Sequence, residues 1–181
     1  QAIAMSLEGV PAIYVQSILA TENDQKGYEE TGIPRRLNRK VWQLPDAEAR
    51  LSEDGIAKSA FDQLRALMSI RMGQPAFHPN ATQYTLNLGP NLLGVWRQGH
   101  LNDQSIFCVF NLTDKPQDLD LSKINLIMTV GWTDLLSQQV IEDYNGILPL
   151  APYQIVWISN VDGRNRIESR LLQRYRDAMP V

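Results

Sequence analysis

The chain has 181 residues, of which 44% are hydrophobic and 20% are charged, and its net charge at pH 7 is −3. This balance excludes a general electrostatic footprint for nucleic acid, and no apolar run reaches the roughly 20 residues that a membrane span needs. The single cysteine, Cys108, excludes an internal disulfide and a cysteine-built metal site. Its apolar neighbours predict a small core residue, and the cysteine usage favours a reducing, cytoplasmic location.

The first residues of the chain have the pattern of the interior of a larger fold. Residues 1–7 resemble the end of an apolar helix, and Gly9 to Val15 form a short apolar run without alternation. Such a run is typical of a strand buried on both faces of a parallel sheet. A strand of this kind needs neighbours on both sides and covering helices, which residues 1–7 cannot supply. We therefore expect the C-terminal part of a larger protein.

A long polar segment, Leu19 to Arg39, follows the predicted strand and has room for a turn of helix. Segments of this length are usually functional, and arginine suits carboxylates, phosphates or vicinal hydroxyls. The candidate binding residues are Glu22, Asn23, Asp24, Arg35, Arg36, Asn38 and Arg39. Loops after buried parallel strands are where α/β enzymes place binding groups. Ordinary surface charge explains the same residues equally well.

Apolar residues at spacings of three and four predict one helix after this segment, capped by Ser52 or Asp54. The apolar stripe consists of Ile56, Ala60, Phe61, Leu64, Leu67 and Met68. The helix is expected to face a core with this stripe and to end before Gly73 and Pro75.

From Thr82 to Ser159 the apolar pattern changes to a period of two, interrupted by turn residues, which predicts an antiparallel β-sandwich. The predicted strands are Thr82–Asn87, Leu92–Gln98, Ser105–Leu112, Asn125–Val130, a short piece around Val140, and Tyr153–Ser159. Residues Arg164 to Met179 predict a basic amphipathic helix. We expect this helix to pack its apolar face on its own protein.

The remaining candidate side chains favour structural roles. Flat aromatic rings can stack on sugars, but core or interface burial is the preferred interpretation for Trp96, Trp132, Tyr144, Tyr153 and Trp157. The two histidines, His78 and His100, lie in turn-like contexts and are too few for a histidine-rich metal cluster. The sequence contains no recognisable nucleophile–base constellation and no Gly-rich phosphate loop.

Several motifs together resemble glycoside hydrolase family 13, the α-amylase superfamily. Residues 9–15 (GVPAIYV) are similar to the last barrel strand of that superfamily. Residues 17–24 (SILATEND), 31–39 (TGIPRRLNR) and 70–78 (IRMGQPAFH) resemble its sucrose phosphorylase and glucosylglycerate phosphorylase branch. The resemblance implies the C-terminal end of a (β/α)8 barrel, followed by an antiparallel β-sandwich and a terminal helix. The implied domains are 1–75 for the barrel end, 76–160 for the all-β domain and 161–181 for the helix.

The resemblance also implies a retaining enzyme that transfers an α-glucosyl unit and releases glucose 1-phosphate. Two carboxylates perform this chemistry as nucleophile and acid/base, and in the family they lie upstream of the residues present here. Arg35 matches the arginine that binds the glucosyl unit, and Asn38 and Arg39 match the pair that follows it on the acceptor or phosphate side. The implied substrates are an α-glucoside and inorganic phosphate. No cofactor, metal, nucleic acid or membrane partner is expected.

One departure from the sucrose-specific pattern changes the local charge. Arg36 stands where those members have an aspartate, and the exchange favours an anionic acceptor such as glycerate over fructose. The alternative function is a non-catalytic β-sandwich module that binds carbohydrate or a partner protein. Under the first hypothesis the present chain alone is expected to be inactive, and nothing in the sequence indicates its oligomeric state.

Overall fold

The computed structural model describes residues 1–124, 131–141 and 146–164. It divides into two compact units. The first contains Gln1 and Ala12–Met68, and the second contains Ala2–Pro11 and the described residues from Ser69 onward. The predicted strand Asn125–Val130, Tyr144 and the predicted helix beyond Arg164 lie outside the described residues.

Short helices dominate the first unit. Among the described residues of the whole chain, the α-helices are α1 (Ala2–Ser6), α2 (Val15–Ile18), α3 (Gln25–Thr31), α4 (Leu44–Ser52) and α5 (Ile56–Met72), and the 3-10 helices are Pro34–Asn38, Pro75–Phe77 and Leu121–Ile124. The Asp24 carboxylate caps α3 by accepting from the Gly27 amide at 3.0 Å, as expected for an N-cap aspartate. Gly32 ends α3 in the left-handed conformation, with φ of 67°, which glycine adopts at little cost.

The segment between Leu19 and Arg39 is more regular than its sequence predicts, since it contains α3 and the 3-10 helix Pro34–Asn38. Helix α4 is not predicted from the sequence. Ser52 is the last residue of α4, and its hydroxyl donates to the Glu48 carbonyl rather than capping the next helix. The helix predicted after it is confirmed as α5, but of its predicted apolar stripe only Leu64 is buried, and Ile56 is 84% exposed.

The predicted strand over Gly9–Val15 is not formed in this structure. Tyr14 has an extended backbone, with φ of −73° and ψ of 135°, but α2 begins at Val15. No strand of the described chain pairs with this segment. A strand is defined by ladder hydrogen bonds to a neighbour, so an apolar run without a partner remains irregular. The apolar pattern was therefore a wrong indicator of local structure here.

Antiparallel sheet dominates the second unit. The strands are β1 (Thr82–Leu86), β2 (Leu92–Gln98), β3 (Ser105–Asn111), β4 (Gln117–Asp120), β5 (Thr133–Asp134), β6 (Ile147–Leu150) and β7 (Ile155–Ser159). One sheet has the order β1-β2-β3-β7-β5, and β4 pairs with β6 in a second. The predicted strands near β1, β2, β3 and β7 are confirmed, and Val140 forms an isolated bridge with Thr133. Strands β4, β5 and β6 are not predicted from the sequence.

The two sheets share one hydrophobic core. Successive strand residues point to opposite faces, and one face of the larger sheet packs with residues of the smaller one. This core includes Phe107, Val109, Val156 and Ile158 from the larger sheet and Leu119, Leu148 and Leu150 from β4 and β6. Trp96 and Trp132 pack against it, so both have structural roles, as predicted. The prediction of burial is wrong for Tyr153, which is 66% exposed. The arrangement is the antiparallel sandwich that the sequence predicts.

The other face of the larger sheet is equally well buried. Trp157 is fully buried there and packs against Phe77, with ring centroids 4.7 Å apart. The register places Cys108 beside Trp157, and burial raises the pKa of the Cys108 thiol to about 12. The prediction of Cys108 as a core residue is confirmed.

A fully buried arginine, Arg97, lies at the edge of this second face. Its guanidinium donates to the carbonyls of His78 at 3.1 Å and Ala81 at 3.4 Å, and to the Gln83 side chain at 3.4 Å. Burial lowers the pKa of Arg97, because desolvation penalises its charged form. Arg97 thus fixes the chain entering β1, a structural role that its residue type does not predict.

Candidate functional site

The predicted substrate-binding residues lie on one short element of the first unit. Arg35 and Asn38 belong to the 3-10 helix Pro34–Asn38, and Arg39 is its C-terminal cap. In a 3-10 helix, side chains three residues apart lie above one another, so Arg35 and Asn38 share a face. All three residues are exposed. Pro34 starts the helix, where its fixed φ angle suits the first helical position.

Backbone contacts join this element to the start of α3. The amide of Asp24 donates to the carbonyl of Leu37 at 2.8 Å. Beside this bond, the Arg36 guanidinium donates to the Asp24 carboxylate at 3.1 Å, and the pair is partly buried. Asp24 therefore connects the start of α3 to the 3-10 helix Pro34–Asn38.

The ion pair corrects the charge argument based on Arg36. Counted in the sequence, Arg36 adds a cation to a substrate loop. In the folded chain its charge is offset by Asp24, so Arg36 does not supply a free cation for an anionic acceptor. Arg35, Arg39 and Lys40 differ from Arg36, since they form no ion pair within the described part of the chain.

Trp42 connects the 3-10 helix to the residues around α2. Its indole N–H lies 3.1 Å from both the Gln16 side-chain oxygen and the Thr21 hydroxyl. The Gln16 amide group in turn donates to the carbonyl of Lys40 at 2.7 Å. The Tyr14 hydroxyl donates to the carbonyl of Asn38 at 3.0 Å. These bonds hold residues 14–21 and 38–42 side by side.

Arg50 of α4 also stabilises the segment that follows α2. Its guanidinium donates to two consecutive carbonyls, those of Leu19 and Ala20, each at 2.9 Å. Ala20 has a φ of 44°, a left-handed conformation that costs a non-glycine residue roughly 1–2 kcal/mol. The guanidinium also lies 5.5 Å from the Trp42 ring centroid. Arg50 therefore stabilises a strained turn directly before Glu22 and Asn23.

Two open clefts border Asn38, and a third cleft, of about 590 Å³, lies beside Trp42 and Arg50. The larger of the two at Asn38 has a volume of about 600 Å³ and is lined by Tyr14, Gln16, Asn38, Arg39 and Lys40. The smaller, about 260 Å³, is lined by Tyr14, Gln16, Ser17, Ala20, Thr21, Glu22, Asn23 and Asn38. Asn38 thus borders both clefts and Arg39 borders the larger one, whereas Arg35 lines neither.

The described residues contain groups suited to binding but no recognisable catalytic assembly. No cluster of metal-ligating side chains occurs among residues 1–124, 131–141 and 146–164. His78 is exposed, and its ring nitrogen Nδ1 accepts from the Asn80 amide at 3.1 Å. His100 is an exposed turn residue. Within these ranges no helix is both long and apolar enough to cross a bilayer.

Sequence reasoning identified Arg35 and Arg39 but missed Lys40 and the residues that position these side chains. Trp42, Gln16 and Arg50 have no motif of their own in the sequence. The bonds from Trp42 to Thr21 and from Arg50 to Leu19 and Ala20 span 21 to 31 positions in the sequence. Separations of this size follow no local period. The one available signal was Trp42 itself, a large aromatic residue in an otherwise polar stretch.

The chain is similar in sequence to known phosphorylases, although no protein-family model matches it. A glucosylglycerate phosphorylase of Allomeiothermus silvanus is 38% identical over 159 residues, which cover 86% of this chain and 25% of that protein. A glucosylglycerate phosphorylase of Escherichia coli is 26% identical over 158 residues, covering 87% of this chain and 27% of that protein. The chain therefore spans about a quarter of the length of these curated relatives. The resemblance to the glucosylglycerate phosphorylase branch is confirmed.

The fold has relatives among solved structures. The crystal structure of AmyP in complex with maltose matches 88% of this chain and 33% of its own, with a TM-score of 0.61 and 18% sequence identity. At this identity the match shows a shared fold.

Proposed function

We propose that this chain, a relative of the glucosylglycerate phosphorylases over most of its length, is the C-terminal part of a retaining α-glucosyl phosphorylase. The parent enzyme would cleave an α-glucoside with inorganic phosphate and release glucose 1-phosphate. The observation that carries the proposal is the 38% identity to a glucosylglycerate phosphorylase across 86% of the chain. Glycerate is the proposed acceptor in the reverse reaction.

In this proposal residues 1–75 form the end of the catalytic barrel, residues 76–160 form an all-β domain, and residues 161–181 form a terminal helix. Exposed apolar side chains of the first unit support the assignment. Val41 is 65% exposed, Leu44 71% and Ile56 84%. Large apolar side chains with this much exposure are expected where a surface contacts more protein. The missing neighbours would be the other strands and helices of the barrel.

The bond-making groups would lie outside the present residues. One carboxylate would attack the anomeric carbon while a second protonates the departing glycerate oxygen, which leaves a covalent glucosyl-enzyme ester. A phosphate oxygen would then attack the same carbon, release the carboxylate and give α-glucose 1-phosphate. The present chain contributes to binding, and we expect it to show no turnover by itself.

Arg35 is the residue proposed to bind the glucosyl unit. Its guanidinium is exposed on the 3-10 helix, where its fixed fork of donors can reach vicinal hydroxyls. Asn38, on the same face, and Arg39 are proposed to contact the acceptor or phosphate side. Their position at the larger cleft supports this role.

The full-length enzyme provides the test. We expect it to transfer glucose from glucose 1-phosphate to glycerate and not to fructose. Efficient transfer to fructose with none to glycerate would contradict the proposed acceptor, and no transfer to either would favour a non-catalytic module. Replacing Arg35 by alanine should lower kcat/KM for the glucosyl donor about 10- to 150-fold, since a charged hydrogen bond contributes about 1.5–3 kcal/mol. The matched variant R65A changes an exposed arginine of α5 and should leave kcat/KM unchanged.

A further inference from the structure

The side chains that line the larger cleft carry positive charge and no negative charge. Its lining consists of two cationic side chains, Arg39 and Lys40, and three neutral polar ones, Tyr14, Gln16 and Asn38. No carboxylate is among these lining residues, and neither cation forms an ion pair within the described ranges. The nearby Arg36 differs, because Asp24 offsets its charge. The cleft is therefore an uncompensated positive site.

Lys40 is held in a defined place within this site. Its ammonium lies 4.3 Å from the centroid of the Trp42 ring, a cation–π distance. The Trp42 indole is fixed by its bonds to Gln16 and Thr21, and the Lys40 carbonyl accepts from Gln16. Both the backbone and the charged end of Lys40 are therefore positioned before any ligand binds.

The cleft has the size and chemistry for a small oxyanion. Its volume of about 600 Å³ falls within the range of small-molecule sites. Arginine contacts carboxylates and phosphates with two parallel donors, and lysine adds a point charge. Gln16 and Asn38 supply further polar side chains for hydroxyl groups on the same molecule.

We propose that Lys40, together with Arg39, binds the anionic group of the substrate that is not glucose. That group is either the carboxylate of a glycerate-like acceptor or the inorganic phosphate, which share negatively charged oxygens. This inference rests on the proposed phosphorylase function and adds to it a specificity residue, Lys40, outside the motif that carries Arg35.

The test is the variant K40Q in the full-length enzyme, which removes the charge of an exposed side chain and leaves the backbone bond to Gln16 in place. K26Q is the matched control, because Lys26 is an exposed lysine on α3 paired with Glu30. We expect K40Q to raise the KM for one anionic substrate at least 10-fold, with kcat changed less than threefold. K26Q should resemble the wild type.

Separate kinetic measurements identify which anion Lys40 binds. If Lys40 binds the carboxylate, K40Q raises KM for glycerate and for glucosylglycerate but not for phosphate, and it leaves transfer to the neutral acceptor glycerol unchanged. If Lys40 binds phosphate, KM rises for phosphate and the glycerate value is unchanged. Equal losses for glycerol, glycerate and phosphate, or no change in any of them, would overturn the inference.

Calorimetry separates this inference from the proposed function. Inorganic phosphate and glycerate are each titrated into the wild type, K40Q and K26Q. If the wild type turns over no α-glucoside, the proposed function fails, and the titrations still decide the anion site. Binding of either anion that is at least 10-fold weaker in K40Q than in K26Q supports the site, and equal affinities, or no binding of either anion to the wild type, overturn it.

Discussion

Replacing Arg50 by methionine tests whether this residue holds the turn before Glu22 and Asn23. The change keeps most of the side-chain length and removes the donors to the Leu19 and Ala20 carbonyls, both at 2.9 Å. A hydrogen bond to a charged group contributes about 1.5–3 kcal/mol. Because Arg50 is only partly buried, we take less than the sum of two such bonds, about 2–3 kcal/mol for the pair together.

The loss should appear as local opening of residues 15–24. The Thr21 amide donates to the Gln16 carbonyl at 2.8 Å, so its hydrogen exchange reports on this turn. A loss of 2–3 kcal/mol corresponds to exchange that is roughly 30- to 150-fold faster, at 1.4 kcal/mol for each factor of ten. Arg65, an exposed arginine of α5, supplies the control variant R65M, which should leave the exchange rate unchanged.

A second substitution, A20G, tests the strain assigned to Ala20. Ala20 has a φ of 44°, and glycine at this position should relieve about 1 kcal/mol of strain. In the R50M background, A20G should therefore recover about a fivefold slowing of Thr21 exchange. Exchange in R50M equal to that in R65M would refute the role assigned to Arg50. Failure of A20G to slow exchange would refute the strain assigned to Ala20.

Two further predictions concern the second unit. A β-carbon at Gly163 would meet the Gly73 carbonyl and the Pro75 ring, so G163A should lower the free energy of unfolding in urea titrations by about 1–3 kcal/mol. The control G55A lies in the first unit, where nothing stands within 4 Å of the added carbon, and it should change this free energy little. Burial raises the pKa of the Cys108 thiol from 9.0 to about 12, so its protonated form contributes stability that is complete below pH 9 and is lost as the pH rises through 12. Unfolding titrations should show this alkaline loss in the wild type and a smaller one in C108A, and equal slopes would contradict it.

Four of the five strands of the larger sheet, β1, β2, β3 and β7, could be predicted because their determinants are local. β2 and β3 alternate between the two faces of one sheet, and turn residues mark their ends. The β4–β6 pair was missed because its four-residue strands contain Asp118, Asp120 and Pro149, which are poor strand formers. Their pairing depends on Leu119, Leu148 and Leu150 entering the shared core, a contact between segments far apart in sequence.

The apolar run at Gly9–Val15 shows the opposite case, in which composition suggests an element that local contacts do not form. A run of valine, isoleucine and tyrosine favours a strand. The ladder partners that would make it one are not present among the described strands. The charge argument based on Arg36 failed for a related reason, because Asp24, twelve positions away in the sequence, balances the charge of Arg36. Both errors come from reading residues without their partners.

The residues of the candidate site fall into two groups, those that would contact a ligand and those that position the first group. This difference explains which residues the sequence could reveal. Arg35, Arg39 and Lys40 are exposed, so their charges remain solvated while the site is empty and cost little to maintain. Such cations are visible in any charge pattern. Trp42 and Arg50 are partly buried and act through bonds that cross from one segment to another. A ligand gains affinity when the groups that meet it are already fixed, so loss of Trp42 or Arg50 should weaken binding although Arg35, Arg39 and Lys40 all remain.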